Sequence, residues 1–130
     1  MKLYEYQGAD LFRAYDIPVP SGVSVCTPEE ASEAAGRLGF PVVLKAQVHA
    51  GGRGKAGGVR VVNAAEEVRA VASQILRLQI KGLPVRKLLV AEVVRAVREV
   101  YLSLIVDRRR RKASFIACAE GGVEIETIAK

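Results

Sequence analysis

Tryptophan is absent, and aromatic residues make up only 5% of the 130-residue chain. A core must therefore be built from Val, Ile, Leu and Ala, which with the other apolar types reach 50% of the sequence. That content, with charged residues at 26%, excludes a disordered chain. No apolar run approaches the ~18 residues that a membrane span requires. The opening residues, Met1 to Tyr6, include an acid and no apolar stretch. A secretory signal is not expected there, nor the Arg/Ser bias of a transit peptide, and the expected location is cytoplasmic. Only two cysteines are present, Cys26 and Cys118, and their separation matches no metal spacing. Both are expected to be reduced and buried, because a chain with this much core has little need of a disulfide framework.

Charge of one sign is in excess, at +6, but it is concentrated. The run Arg108-Arg109-Arg110-Arg111-Lys112 supplies five of those charges, so the remainder of the chain stands at +1. The excess is one local cluster and not a basic face. A solvated hairpin tip is the expected state of this run. The alternative is a small basic nucleic-acid-binding module centred on Arg108–Lys112. Such sites interleave basic residues with stacking aromatics. The nearby Tyr101 and Phe115 fall at strand positions where core packing accounts for them.

Residues from about Lys2 to Tyr15 read as a helix with Leu3, Leu11, Phe12 and Tyr15 on one face. Pro18 and Pro20 then force extended backbone. Gly22 to Val25 reads as a short strand. Thr27-Pro28-Glu29-Glu30 is a helix start, with Thr27 as cap, Pro28 in the first turn and Glu30 closing a capping box. Ala31, Ala34, Ala35 and Leu38 form a small-residue face suited to close packing, and Gly39 ends the helix. Pro41 to Ala46 reads as a buried strand, and Val59 to Val62 as its partner. Asn63 is expected to cap a further helix with Glu66 as its box partner. There Val68, Val71, Ala72, Ile75 and Leu76 give the clearest amphipathic spacing in the chain. Gly82 and Pro84 read as a connection. Strands are expected over Lys87–Val94, Val100–Val106 and Ser114–Ala119. Glu120 to Lys130 reads as a loop and then a helix, with Glu124 and Glu126 on a solvated edge. The order predicts an α+β fold with mixed sheets.

The segment Gln47 to Gly58 holds five glycines in the eight residues from Gly51 to Gly58. Glycine weakens regular elements, so packing does not explain this density. Backbone N–H groups freed by glycine, with Lys and Arg alongside, suit phosphate binding. A Walker loop is excluded, because Gly54-Lys55 is followed by Ala56 and not by a hydroxyl residue. Gly52, Gly54 and Gly57 satisfy a dinucleotide fingerprint, yet a strand follows where a helix is required. The kinase spacing also fits, with Val59 as its last member, but a kinase carries its lysine on the strand after the loop. Here Lys45 stands on the strand before it. A strand–loop–strand lid over nucleotide phosphates remains.

The run Val43-Leu44-Lys45-Ala46-Gln47-Val48-His49-Ala50-Gly51-Gly52-Arg53-Gly54-Lys55-Ala56-Gly57-Gly58-Val59 resembles the signature of the succinyl-CoA synthetase (succinate–CoA ligase) β subunit, an ATP-grasp enzyme. Malate–CoA ligase β subunits share it. Leu3-Tyr4-Glu5-Tyr6-Gln7 resembles the family opening, with Tyr4 in place of a usual His. Ile80–Leu83, Leu89–Glu92, Arg98–Leu102, Val106–Arg108 and Glu120–Glu126 fit as well. Arg95-Ala96-Val97 departs from the D-I-A of some relatives.

The resemblance implies an ATP-grasp fold. Residues 1–93 would form the first subdomain, a mixed sheet with flanking helices. Residues 94–130 would open the second, with its first antiparallel strands. It implies that Lys45 meets the α- and β-phosphates of ATP, while Gly52, Arg53 and Gly54 line the lid. Ala91, which is Glu in some members, and Glu92 would lie beside the adenine, and Glu99 near the ribose. The implied reaction joins succinate and CoA at the expense of ATP or GTP, through a phosphohistidine on a partner α subunit. His49 is not that nucleophile and is expected as a polar loop residue near the phosphates. The implied cofactors are the nucleotide and magnesium, whose ligands in the family lie beyond Lys130. The chain therefore reads as an N-terminal fragment, inactive by itself, with neither membrane nor nucleic acid as an expected partner.

Overall fold

The computed structural model describes residues 2–121. They divide into two compact units, with the boundary between Val94 and Arg95. The expected segment from Gly122 onward, including Glu124 and Glu126, lies outside the described residues.

The first unit contains α1 (Glu5–Ala14), β1 (Gly22–Val25), α2 (Pro28–Leu38), β2 (Val42–Ala46), β3 (Val59–Val62), α3 (Ala65–Leu76), β4 (Gln79–Ile80), β5 (Leu83–Pro84) and β6 (Leu88–Glu92). Four strands form the main sheet in the order β1-β6-β2-β3. Every pairing in it is antiparallel, which corrects the expectation of a mixed sheet. The reason is where β6 goes. β1 and β2 are joined through α2 and would be parallel neighbours, but β6 inserts between them and runs against both. β4 and β5 make a small hairpin in the stretch that the sequence presented only as a connection.

Strand alternation gives the sheet two different faces. Val42, Leu44 and Ala46 of β2 and Leu88 and Val90 of β6 point into the larger core, where they meet Ala31, Ala34 and Ala35 of α2 and Val68, Ala72 and Ile75 of α3. The alternate residues Val43, Leu89 and Ala91 point to the opposite face, where Tyr6 of α1 packs. Lys45 shares that alternation and so projects away from the two core helices.

The start of α2 is as expected: Thr27 Oγ1 accepts from Glu30 N at 3.1 Å, and Glu30 Oε2 accepts from Thr27 N at 3.3 Å. The start of α3 is not. Its N-cap is Ala64, one residue later than Asn63, and no side chain caps it. The shift removes Glu66 from the box position, so tertiary packing of Val68, Ala72 and Ile75 holds this helix without that cap. α1 buries no residue. Its expected apolar face is open, with Leu11 49% and Phe12 52% exposed. Both cysteines are free, as expected, but Cys26 is exposed and Cys118 only half-buried. Cys26 sits in the turn between β1 and the cap of α2, outside the core.

The second unit is an antiparallel hairpin of β7 (Tyr101–Asp107) and β8 (Lys112–Cys118). Arg108 to Arg111 form its tip, and Lys112 pairs with Asp107. Asp107 Oδ1 accepts from Arg109 N at 2.9 Å and Arg110 N at 3.0 Å. Phe115 is 71% exposed, so core packing does not hold it. Among the described residues of this unit no further helix or strand covers the faces of the ribbon.

Candidate functional site

The glycine-rich segment leaves β2 and returns as β3, a strand–loop–strand unit. Its turn is closed by its own backbone. Ala56 N donates to Gly52 O, Gly57 N to Gly54 O and Gly58 N to Arg53 O, at 2.8–3.1 Å. Gly52 has φ +79°, a conformation that disfavours any other residue. Gly58 is required by space: a Cβ there would lie 2.8 Å from Ile80 Cδ1 and 3.1 Å from both Ala46 Cβ and Arg53 O. Gly58→Ala is therefore expected to destabilise the fold by about 1–3 kcal/mol. A urea midpoint equal to that of the unaltered chain would contradict this.

The first turn of α1 lies against the loop and the end of β2. Tyr4 stacks on His49 with ring centroids 3.9 Å apart. Glu5 meets two cations: Lys45 Nζ is 2.8 Å from Oε1, and Arg53 Nη2 is 2.9 Å from Oε2. Gln47, buried at the end of the strand, accepts from Tyr6 N through Oε1 at 3.4 Å. Gln47 Nε2 donates to the carbonyl of Lys45 at 3.2 Å. Lys87 Nζ stands 5.4 Å above the Tyr6 ring. Arg53 also donates from Nη1 to the carbonyl of Ala46 at 2.9 Å, which folds the loop back on the strand.

Burial pushes the Glu5 carboxyl upward. The hydrogen bond and charge of Lys45, with the charge of Arg53, outweigh that and hold it below the ordinary carboxylate range. A lowered folded value means that this contact stabilises the fold above the unfolded titration and is lost as pH falls through the folded one. The melting temperature of the unaltered chain should thus exceed that of Glu5→Gln at neutral pH, and the difference should shrink in acid. A difference that stays constant down to pH 3 would contradict it.

Beside this cluster is a pocket of about 130 Å³, lined by Glu5, Tyr6, Asp10 and Arg13 of α1 and by Gly22, Lys45, Leu89 and Ala91 of the sheet, among others. The expected residues thus separate into groups. Lys45 and Ala91 line one pocket. Arg53 joins Lys45 through Glu5. Gly52 and Gly54 shape the exposed turn. Glu92 is exposed at the end of β6, and its Oε1 accepts from Ser21 N at 2.9 Å. Glu99 is exposed in the second unit, where its carbonyl accepts from Gly121 N at 3.1 Å. Among the described residues no three His, Cys, Asp or Glu side chains come together to hold a metal ion, and no helix is long and apolar enough to cross a membrane.

Periodicity missed Glu5 and Gln47: Glu5 falls off the apolar face of the first helix, and Gln47 only opens the glycine-dense segment. The only signal for Glu5 was its place inside the opening Tyr4-Glu5-Tyr6-Gln7.

The chain is 55% identical over its whole length to a protein of Chloroflexus aggregans named succinate–CoA ligase [ADP-forming] subunit beta. It is 49% identical to the subunit of the same name from Pyrobaculum calidifontis. It spans 34% of the length of each of these relatives. Among solved structures, a dinucleotide-forming acetyl-coenzyme A synthetase 1 of Ca. Korarchaeum cryptofilum, in complex with coenzyme A, Ca-AMPCP and HgCl+, superposes with a TM-score of 0.82 at 26% identity. That match covers 98% of this chain and 57% of the other. A phosphoribosylamine–glycine ligase of Thermotoga maritima shares the fold at a TM-score of 0.63 and 19% identity, over 88% of this chain and 27% of that one. The family model described as ATP-grasp domain matches residues 2–130, and the chain belongs to that family.

Proposed function

We propose that this chain is the nucleotide-binding N-terminal part of a succinate–CoA ligase β subunit. The observation that carries the reading is the convergence of Lys45 from β2 and Arg53 from the glycine-rich turn on the carboxylate of Glu5, which with Lys45 and Ala91 lines a pocket. Two cations beside exposed loop amides suit a polyphosphate. Lys45 and Arg53 would neutralise the phosphates, and the amides of Gly52 and Gly54 would approach them. Ala91 and Glu92 would flank the adenine and Glu99 the ribose. The name of the relatives, ADP-forming, favours ATP over GTP.

In the complete protein the nucleotide would phosphorylate a histidine of an α subunit, and succinate and CoA would be joined through it. Magnesium would neutralise the transferred phosphate charge there. Among the described residues no cluster of His, Cys, Asp or Glu would hold it. The 130-residue chain is expected to be inactive by itself.

Titration of this chain with ATP, followed by amide NMR shifts, tests the reading. A pocket this small buries little of a nucleotide, so weak saturable binding is expected, with a Kd of about 1 mM. Shifts should centre on residues 45–58 and 89–92. Absence of saturation would overturn the reading. A labelled oligonucleotide shifted at low salt, and released when Arg108–Lys112 is neutralised, would favour the nucleic-acid alternative instead.

A further inference from the structure

We infer that Glu5 is a positioning residue for the phosphate-binding cations: it holds Lys45 and Arg53 side by side while leaving most of their N–H groups free for a polyanion. The inference rests on the reading of Lys45 as a phosphate contact and adds a residue to it.

Donor counting favours positioning over competition. A lysine ammonium has three donors and an arginine guanidinium five. Lys45 gives one to Glu5. Arg53 turns one toward Ala46 O and another toward Glu5. Two donors on Lys45 and three on Arg53 are left by these contacts, and each side chain is 27% exposed. One carboxylate against two cations also leaves a net positive charge, so an anion is still attracted. Without the carboxylate, two like charges would face each other and the side chains would separate.

The carboxylate is itself aimed by its neighbours. Tyr4 on His49 and Tyr6 on Gln47 anchor the residues before and after it. No fully buried residue of α1 sets this contact, and the helix packs on the sheet through the half-buried Tyr6. Both carboxylate oxygens of Glu5 face a cation, Oε1 at 2.8 Å from Lys45 Nζ and Oε2 at 2.9 Å from Arg53 Nη2. Ordering both side chains before the nucleotide arrives removes that entropy from the binding step.

The test measures ATP, ADP and AMP affinities of the 130-residue chain and of its Glu5→Gln and Lys45→Ala variants, by amide NMR shifts. Glu5→Gln is expected to weaken ATP by roughly fivefold or more, with a smaller loss for ADP and the smallest for AMP. That gradient with phosphate number supports the inference. An equal loss for all three nucleotides, or loss of the folded spectrum, indicates a structural role and overturns it. Tighter ATP binding by Glu5→Gln makes the carboxylate a competitor and overturns it as well. If Lys45→Ala weakens ATP and Glu5→Gln does not, the positioning inference falls and the phosphate-site reading stands. If Lys45→Ala binds ATP as the unaltered chain does, both fall.

Discussion

Lys45→Ala should weaken ATP binding by at least tenfold. A charge-assisted hydrogen bond is worth about 1.5–3 kcal/mol, or roughly ten- to hundredfold in affinity. Lys45 stands on β2 on the face opposite α2 and α3, so truncation removes an ammonium and leaves the larger core untouched. Glu5 would retain Arg53, and the fold should persist with an unchanged amide pattern in β2 and β6. Titration with ATP at fixed salt checks it. A change of less than twofold would place the phosphates elsewhere on the molecule. Lys45→Arg is not a neutral control. A planar guanidinium beside that of Arg53 would present different donors to the same carboxylate.

Leu44→Ala, one residue away, should have the largest effect on stability. Leu44 is fully buried, flanked in register by Arg60 on one side and Val90 on the other. It faces α2 and α3 across the larger core. Removing its branched end leaves a cavity that a four-stranded sheet cannot close by a local shift. The expected loss is about 2–5 kcal/mol, against a total of about 5–15 kcal/mol for a domain of ordinary stability. Urea denaturation followed by circular dichroism measures it. A loss below about 1 kcal/mol would mean that the centre of this sheet is not the core that holds the first unit together. The adjacent pair thus separates the two faces of β2, since Leu44 should affect folding far more than nucleotide, and Lys45 the reverse.

Both faces were legible in part. The apolar run ending in Lys45 marked a buried strand, and the glycines marked a loop followed by a strand. Those readings depend on neighbours a few residues apart. The capping box at Thr27 is of the same kind. The box expected at Asn63 was not formed, because a one-residue shift of the helix start is a small free-energy change that tertiary packing readily imposes. The exposed face of α1 and the exposed Phe115 show the opposite limit. Period alone identifies an apolar face but not what covers it.

Residue order alone was enough for most of the local elements, for excluding a Walker loop by Ala56 and a dinucleotide loop by the strand that follows, and for the resemblance that pointed to an ATP-grasp fold. Three things were decided only by the tertiary structure. β6 enters between β1 and β2 and makes the sheet antiparallel. Gln47 turns from a loop residue into a buried anchor. Glu5 crosses 40 positions of sequence to join Lys45. The reason is common to all three. Local spacing fixes which way a side chain points relative to its own backbone, whereas the partner that it meets depends on how distant segments are stacked.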